Sequence, residues 1–320
     1  MRADDDDDDM QYVDEWLTTH GVDDDHDHAG DYVRYLNESI AEEERTLAIC
    51  IGELGPDHPD TLVSVDRLAQ SYSDAGRFDE LVALRERVFA DQKQRLEGDH
   101  FLASISRENL ASAYREADRF DDLIALWERI VADRELRVGA EHPDTLTARH
   151  DLACAYKSAG RLDEAISMYE RTLARRTRIL GPDHRDTLAT QCELAGTYIA
   201  ANRLDDAITL AEHTHAQCLG VLGPAHEDVL VSCLTLMNAY LAARRPDDAI
   251  DCVEQTTADR ARILGDDDMA TQHVRALINN IQIARGLECE PCLLYGGSRI
   301  GLPCPFEPED KPELCRDLIR

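Results

Sequence analysis

Aromatic residues make up only 5% of this 320-residue chain, so aliphatic and small side chains must fill its interior. Lysine is almost missing: of 34 basic residues only Lys93, Lys157 and Lys311 are lysines. Arginine in their place, with abundant Ala and Asp, is the bias expected of a high-GC bacterial gene. Basic charge as a whole is scarce, 34 residues against 65 acidic ones, which leaves a formal net charge of −31. Phosphate backbones and anionic membrane surfaces are gripped by clustered Lys and Arg, so nucleic acid and membrane are excluded as partners. No apolar run approaches the roughly 18 residues of a membrane-spanning helix. The opening MRADDDDDDM is the reverse of a signal peptide's basic and apolar start, and a cytoplasmic protein is expected. The chain also lacks a G-x-S-x-G elbow, an H-E-x-x-H pair, a P-loop and a dinucleotide fingerprint, so no enzyme is expected.

What the chain does have is a repeat. Leu54-Gly55-Pro56-Asp57-His58-Pro59-Asp60-Thr61-Leu62 returns as Val138-Gly139-Ala140-Glu141-His142-Pro143-Asp144-Thr145-Leu146. It returns again from Leu180 and, more loosely, from Leu96, Leu222 and Leu264. These starts keep a spacing of 42 residues without a slip. Each unit reads as two helices. Val65, Leu68, Ala69 and Tyr72 share one face of the first, which Gly76 ends; Gly160 and Asn202 do the same later. Asp79, Asp121, Asp163, Asp205 and Asp247 open the second helix, where a carboxylate meets free N–H groups. Neither helix can bury its apolar stripe alone, and stacked hairpins solve that problem.

Leu68-Ala69-x2-Tyr72, Leu110-Ala111-x2-Tyr114, Leu152-Ala153-x2-Tyr156 and Leu194-Ala195-x2-Tyr198 resemble the Leu-Gly-x2-Tyr signature of tetratricopeptide repeats (TPR). Ala165, Ala207 and Ala249 match that family's small residue early in the second helix. The 42-residue period and its linker resemble the kinesin-light-chain-like variety. The resemblance covers roughly residues 38 to 285. It implies an all-α, right-handed α-solenoid of stacked helix-turn-helix repeats that acts as a protein-docking platform.

The expected organisation is an acidic disordered tail over 1–30 and a TPR array over 31–285. Within the array come an orphan helix (31–54), five full repeats (about 60–264) and a capping helix (270–285). A Cys/Pro-rich tail fills 286–320.

Candidate chemistry is sparse. His58, His100, His142, His184 and His226 recur with the repeat. Successive repeats lie at least about 8–10 Å apart, too far for these histidines to share one metal ion, so they read as linker and capping residues. Asp4 to Asp9 and Asp23-Asp24-Asp25-His26-Asp27-His28 read as a solvated tail. Glu212, His215 and Cys218 share a helix face without an evident fourth ligand. Cys50, Cys154, Cys192, Cys218, Cys233 and Cys252, scattered singly, read as small core residues in a reducing compartment.

The last segment differs: Cys289, Cys292, Cys304 and Cys315 crowd it, and Cys289-Glu290-Pro291-Cys292 has the C-x2-C spacing of a zinc hook. Zinc, loosely packed reduced thiols and a redox pair all remain open there. A metal-linked or redox-regulated protein whose tail gates the array is therefore the alternative to a protein-interaction scaffold or regulatory sensor module.

The docking groove is expected on the first-helix faces turned away from the second helices. Arg67, Asn109, Asp151, Glu193 and Thr235 hold one position there; the resemblance implies an Asn at that place, and only Asn109 keeps it. Arg115, Lys157, Ile199, Asn238, Leu234 and Leu241 flank them. The later repeats are nearly apolar on this face, where Leu234 and Leu241 either pack against the terminal cap or stand free for a partner. The expected partner is a protein or peptide segment, amphipathic, with apolar anchors on Ile199, Leu234 and Leu241 and basic residues toward Asp66, Glu108 and Asp151.

Overall fold

A computed structural model describes residues 28–95, 101–265, 268–272 and 274. Among the described residues the long elements are all helices and no strand is present. A leading helix, α1 (His28–Glu53), precedes five hairpins. Their first helices are α2 (Pro59–Asp74), α4 (Phe101–Glu116), α6 (Pro143–Ser158), α8 (Arg185–Ala200) and α10 (Glu227–Ala242). Their second helices are α3 (Phe78–Arg95), α5 (Phe120–Val138), α7 (Leu162–Leu180), α9 (Leu204–Leu222) and α11 (Pro246–Leu264). Every hairpin keeps the register of the sequence repeat. Of the expected capping helix, Met269 to Gln272 are helical and Thr271 and Val274 are buried; the rest, like residues 1–27, residues 286–320 and His100, lies outside the described residues, while His28 to Gly30 of the expected tail belong to α1.

The linker motif explains itself locally. His58, His142, His184 and His226 are N-caps in extended backbone, and each ring Nδ1 accepts the N–H of the Asp two residues on. Thr61, Thr145 and Thr187 donate their hydroxyls to Gly55, Gly139 and Gly181 carbonyls at 2.7–2.9 Å. This fixes the entry angle of each first helix. The histidine ladder is thus a set of caps.

At the hairpin turn the helix stops on a residue with positive φ: Gly76, Asp118, Gly160, Asn202 and Arg244 in successive repeats. The Arg77 N–H reaches back to the Tyr72 carbonyl at 2.8 Å, and the later repeats copy it. Gly pays no steric penalty in that region, but Arg244 stands in it at φ 58°. The second helices are not opened by their Asp residues as caps. The N-caps are Arg161, Arg203 and Arg245, with no side-chain cap bond, and the Asp residues sit in the first turn. These arginines instead turn onto an acid three residues on, as in Arg203–Asp206 at 2.7 Å.

The chain divides into two compact units, Met1–Leu126 and Trp127–Arg320. In the first, α1 packs on α2, α2 on α3 and α3 on α4, burying Ile40, Leu47, Leu68, Val82 and Leu110. In the second, α6 to α11 pack in succession, and the first helices α6, α8 and α10 also touch one another. Ala165, Ala207 and Ala249 are fully buried; a larger side chain would push paired helices apart.

A clasp recurs in every repeat. Tyr72, Tyr114, Tyr156, Tyr198 and Tyr240 donate to Glu44 on α1 and to Glu86, Glu128, Glu170 and Glu212 on the preceding second helices at 2.7–3.0 Å. Arg77, Arg119, Arg161, Arg203 and Arg245 lie over the same rings, 4.3–5.2 Å from their centroids. A buried polar register completes the frame: Arg134 and Arg176 donate to the Asp144 and Asp186 carbonyls at 2.7 and 2.9 Å. Desolvation pulls the Arg176 pKa below its ordinary value. The guanidinium tolerates burial because Thr190 and Thr147 hydroxyls also accept from it.

Candidate docking face

In the second unit α6, α8 and α10 offer a continuous layer of first helices. Its outward positions are small or polar: Thr147 and Ser158 on α6, Ala189 and Ala200 on α8, and Val231 and Asn238 on α10 are exposed. Asp151, Glu193, Gly196 and Thr235 between them are half-buried. Lys157 crosses from α6 to bind Glu193 on α8 at 3.1 Å. Its ammonium lies over Gly196, where an added methyl would meet Nζ at 3.4 Å. These two groove residues therefore neutralise each other.

Ile199, Leu234 and Leu241 are half-buried and pack against the core cluster that contains Leu236, Met237, Tyr240 and Val274. They do not stand clear as the unpaired apolar stripe the sequence suggested; Val231, 52% exposed, is the apolar side chain that does. A helical wheel leaves this open because it counts only the partner helix of each hairpin. Neighbouring repeats cover the flanks of the same face.

Deeper under α6, His150 stands edge-on to Tyr169 with ring centroids 5.4 Å apart. Burial, and next the Arg176 charge, push the His150 pKa down to about 4. The Tyr169 hydroxyl donates to Cys154 Sγ at 2.9 Å, and burial raises the Cys154 thiol to about 12. A neutral imidazole beside a protonated thiol is no nucleophile pair, since attack needs a thiolate.

In the first unit Arg67 and Arg115 are exposed and Asn109 is half-buried. Arg67 lines a cleft of about 230 Å³ with Glu42, Glu43 and Ser64. Asp66 is paired with Arg85 at 2.7 Å and Glu108 with Arg107 at 3.4 Å, so neither stands as an uncompensated charge for a partner. Cys289, Cys292, Cys304 and Cys315 lie outside the described residues. The six described cysteines are free thiols, buried or half-buried. Glu212, His215 and Cys218 do not converge: Glu212 accepts from Tyr240, while His215 turns inward toward Ser232.

Sequence reasoning missed two clefts on the second-helix side. One, of about 420 Å³, is lined by Glu44, Leu47, Leu68, Tyr72, Leu84 and Arg87. The other, of about 550 Å³, uses Glu170, Leu173, Leu194, Tyr198, Leu210 and His213. They are the same place three repeats apart, and the recurring Tyr–Glu pairs were the signal that marks them. No described helix is long and apolar enough to cross a membrane.

The tetratricopeptide repeat family profile matches residues 101–178, 155–218 and 186–262, together just over half of the chain. Crystal structures of nearly identical TPR-like repeats from a Podosopora anserina kinesin light chain, and of a single-substitution variant of those repeats, are each 32% identical. Each alignment covers 65% of this chain and 98–99% of the other, with TM-scores of 0.49 and 0.50. BtubC (BKLC) from P. vanneervenii is 21% identical over 72% of this chain and 92% of its own, with a TM-score of 0.50, a likeness of fold. No curated protein matches. With its repeat register, hairpin geometry and profile match in agreement, the chain belongs to the tetratricopeptide repeat family.

Proposed function

We propose that this protein is a non-enzymatic, cytoplasmic docking scaffold that holds an extended or helical segment of a partner protein on the face of α6, α8 and α10. The carrying observation is that layer of touching first helices, exposed through Thr147, Ala189, Val231 and Asn238. Small side chains let a partner backbone approach closely, and Val231 with the half-buried Leu234 and Leu241 supplies an apolar footing. One buried aliphatic anchor contributes about 1.5–3 kcal/mol, against about 0–1 kcal/mol for an exposed ion pair. The net charge of −31 favours a basic amphipathic partner, chiefly by speeding encounter.

Site-specific photo-crosslinking tests this without disturbing the fold. A benzophenone side chain at Asn238, on the first-helix face, should give discrete adducts in native extract. The same group at Gln255, exposed on α11, should give none of them. Adducts from position 255 alone, or identical adducts from both, would refute docking on this face.

A further inference from the structure

The last two hairpins break the chain's own pattern at three positions. Where His215 stands, the preceding repeats have Leu173, Val131, Phe89 and Leu47. Cys252 replaces Leu210, Met168, Leu126 and Leu84, and Cys233 replaces Gln191, Arg149, Arg107 and Val65. The three belong to α9, α11 and α10, yet their ligand atoms all lie within 4.8 Å of one another. Cys233 is fully buried and His215 is 7% exposed.

We propose that His215, Cys233 and Cys252 form an interior zinc site that clamps α11 to α9 and α10. The two Sγ atoms are 3.8 Å apart. Two sulfurs, each about 2.3 Å from one tetrahedral zinc, stand about 3.8 Å apart, whereas a disulfide needs about 2.05 Å.

The imidazole supplies an independent argument. Its Nδ1 lies 3.0 Å from Ser232 Oγ and its Nε2 3.3 Å from Thr256 Oγ1. Both hydroxyl protons are already given to backbone carbonyls, Ser232 to Val229 and Thr256 to Cys252, each at 2.9 Å. A neutral imidazole has one N–H, so only one of its two contacts can be a hydrogen bond. With Nδ1–H on the closer Ser232, Nε2 directs a lone pair at Thr256. A lone pair whose neighbouring donors are only two weakly donating thiols suits a Lewis acid. The Ser232 bond would then fix the tautomer, as outer partners of zinc-bound histidines do.

Charge selects the ion. Zinc(II) displaces one proton from each thiol and leaves a neutral unit with two thiolates and one imidazole. A monovalent ion with two thiolates would bury a net negative charge. Binding releases two protons to solvent, and no electron transfer is involved. The site is separate from the proposed docking face and stands or falls independently of it.

The test uses the full chain with Cys289, Cys292, Cys304 and Cys315 replaced by serine, so that only interior cysteines can answer. Zinc is titrated against a chromophoric chelator and bound metal is measured by elemental analysis. One equivalent is expected, with X-ray absorption showing two sulfurs at about 2.3 Å and one nitrogen at about 2.0–2.1 Å. Cys252→Ala and His215→Gln should each weaken binding at least tenfold while helical circular dichroism is kept. The absorption spectrum of the unaltered interior decides the matter if either variant misfolds. No zinc uptake, a first shell without the two-sulfur, one-nitrogen set, or a Cys233–Cys252 disulfide found instead by peptide mapping would overturn the site.

Discussion

Removing one hydroxyl from the clasp, by Tyr198→Phe, isolates a single interaction between repeats. Tyr198 donates to Glu170 at 2.8 Å, and Arg203 lies 4.3 Å from the ring centroid while paired to Asp206. The phenyl ring of the variant keeps the buried area and the stacked guanidinium, so the loss is confined to one hydrogen bond with a charged acceptor. Such bonds contribute about 1.5–3 kcal/mol. Glu170 is exposed and regains water when the hydroxyl goes, which places the cost near 1.5 kcal/mol, about tenfold in the folding equilibrium. Urea unfolding followed by circular dichroism on Tyr198→Phe, Glu170→Gln and the double variant gives the coupling directly. About 1 kcal/mol is expected, with an unchanged slope against urea. A coupling below about 0.3 kcal/mol, the error of simple additivity, would mean that the hydroxyl is as well served by water. Alkali gives a second reading. Burial first, and the bond to Glu170 next, push the Tyr198 pKa up to about 12, against about 10 in an unfolded chain. The native state then holds the proton more tightly. Its contribution is fully present below pH 10 and is lost as pH rises from 10 to 12. Tyr198→Phe should flatten that limb.

Three further outcomes follow from single residues. His184→Ala removes the ring that accepts the Asp186 N–H and should cost about 1 kcal/mol in thermal or urea unfolding. His184→Asn, a strong cap, should restore nearly all of it, and equal losses in both would dismiss the capping role. His150 is held near pKa 4 in the fold against about 6.5 unfolded. The unfolded chain therefore takes the proton first. Stability is full above pH 6.5 and falls as pH drops toward 4, by at most about 3 kcal/mol. His150→Asn should show a shallower loss of melting temperature between pH 7 and 4.5, and an unchanged slope would count against the burial argument. Arg244→Gly relieves a side chain held at φ 58° and should raise stability by up to about 1 kcal/mol. A loss in urea midpoint would show that the Arg244 side chain, not its backbone, matters at that turn.

The repeat register, the helix pairs and their boundaries were legible in the sequence, because each rests on local chemistry. His58-Pro59-Asp60 is a cap followed by a first turn, Gly76 and Asn202 supply a left-handed stop, and Leu68, Ala69 and Tyr72 share a face by helical geometry alone. Forty-two-residue recurrence then carried every local reading to the next unit. What the sequence could not decide depends on side chains brought together across helices. Ile199, Leu234 and Leu241 looked exposed on an isolated helix and are half-buried once adjacent repeats close over them. Lys157 and Glu193 looked like charges offered to a partner and bind each other. The Tyr–Glu–Arg clasp joins residues 28 positions apart and acquires meaning only when two repeats stack. His215, Cys233 and Cys252, widely separated along the chain, became a cluster only because α9, α10 and α11 meet there. Periodicity fixes which face of a helix is apolar, but only packing determines which neighbours that face will have.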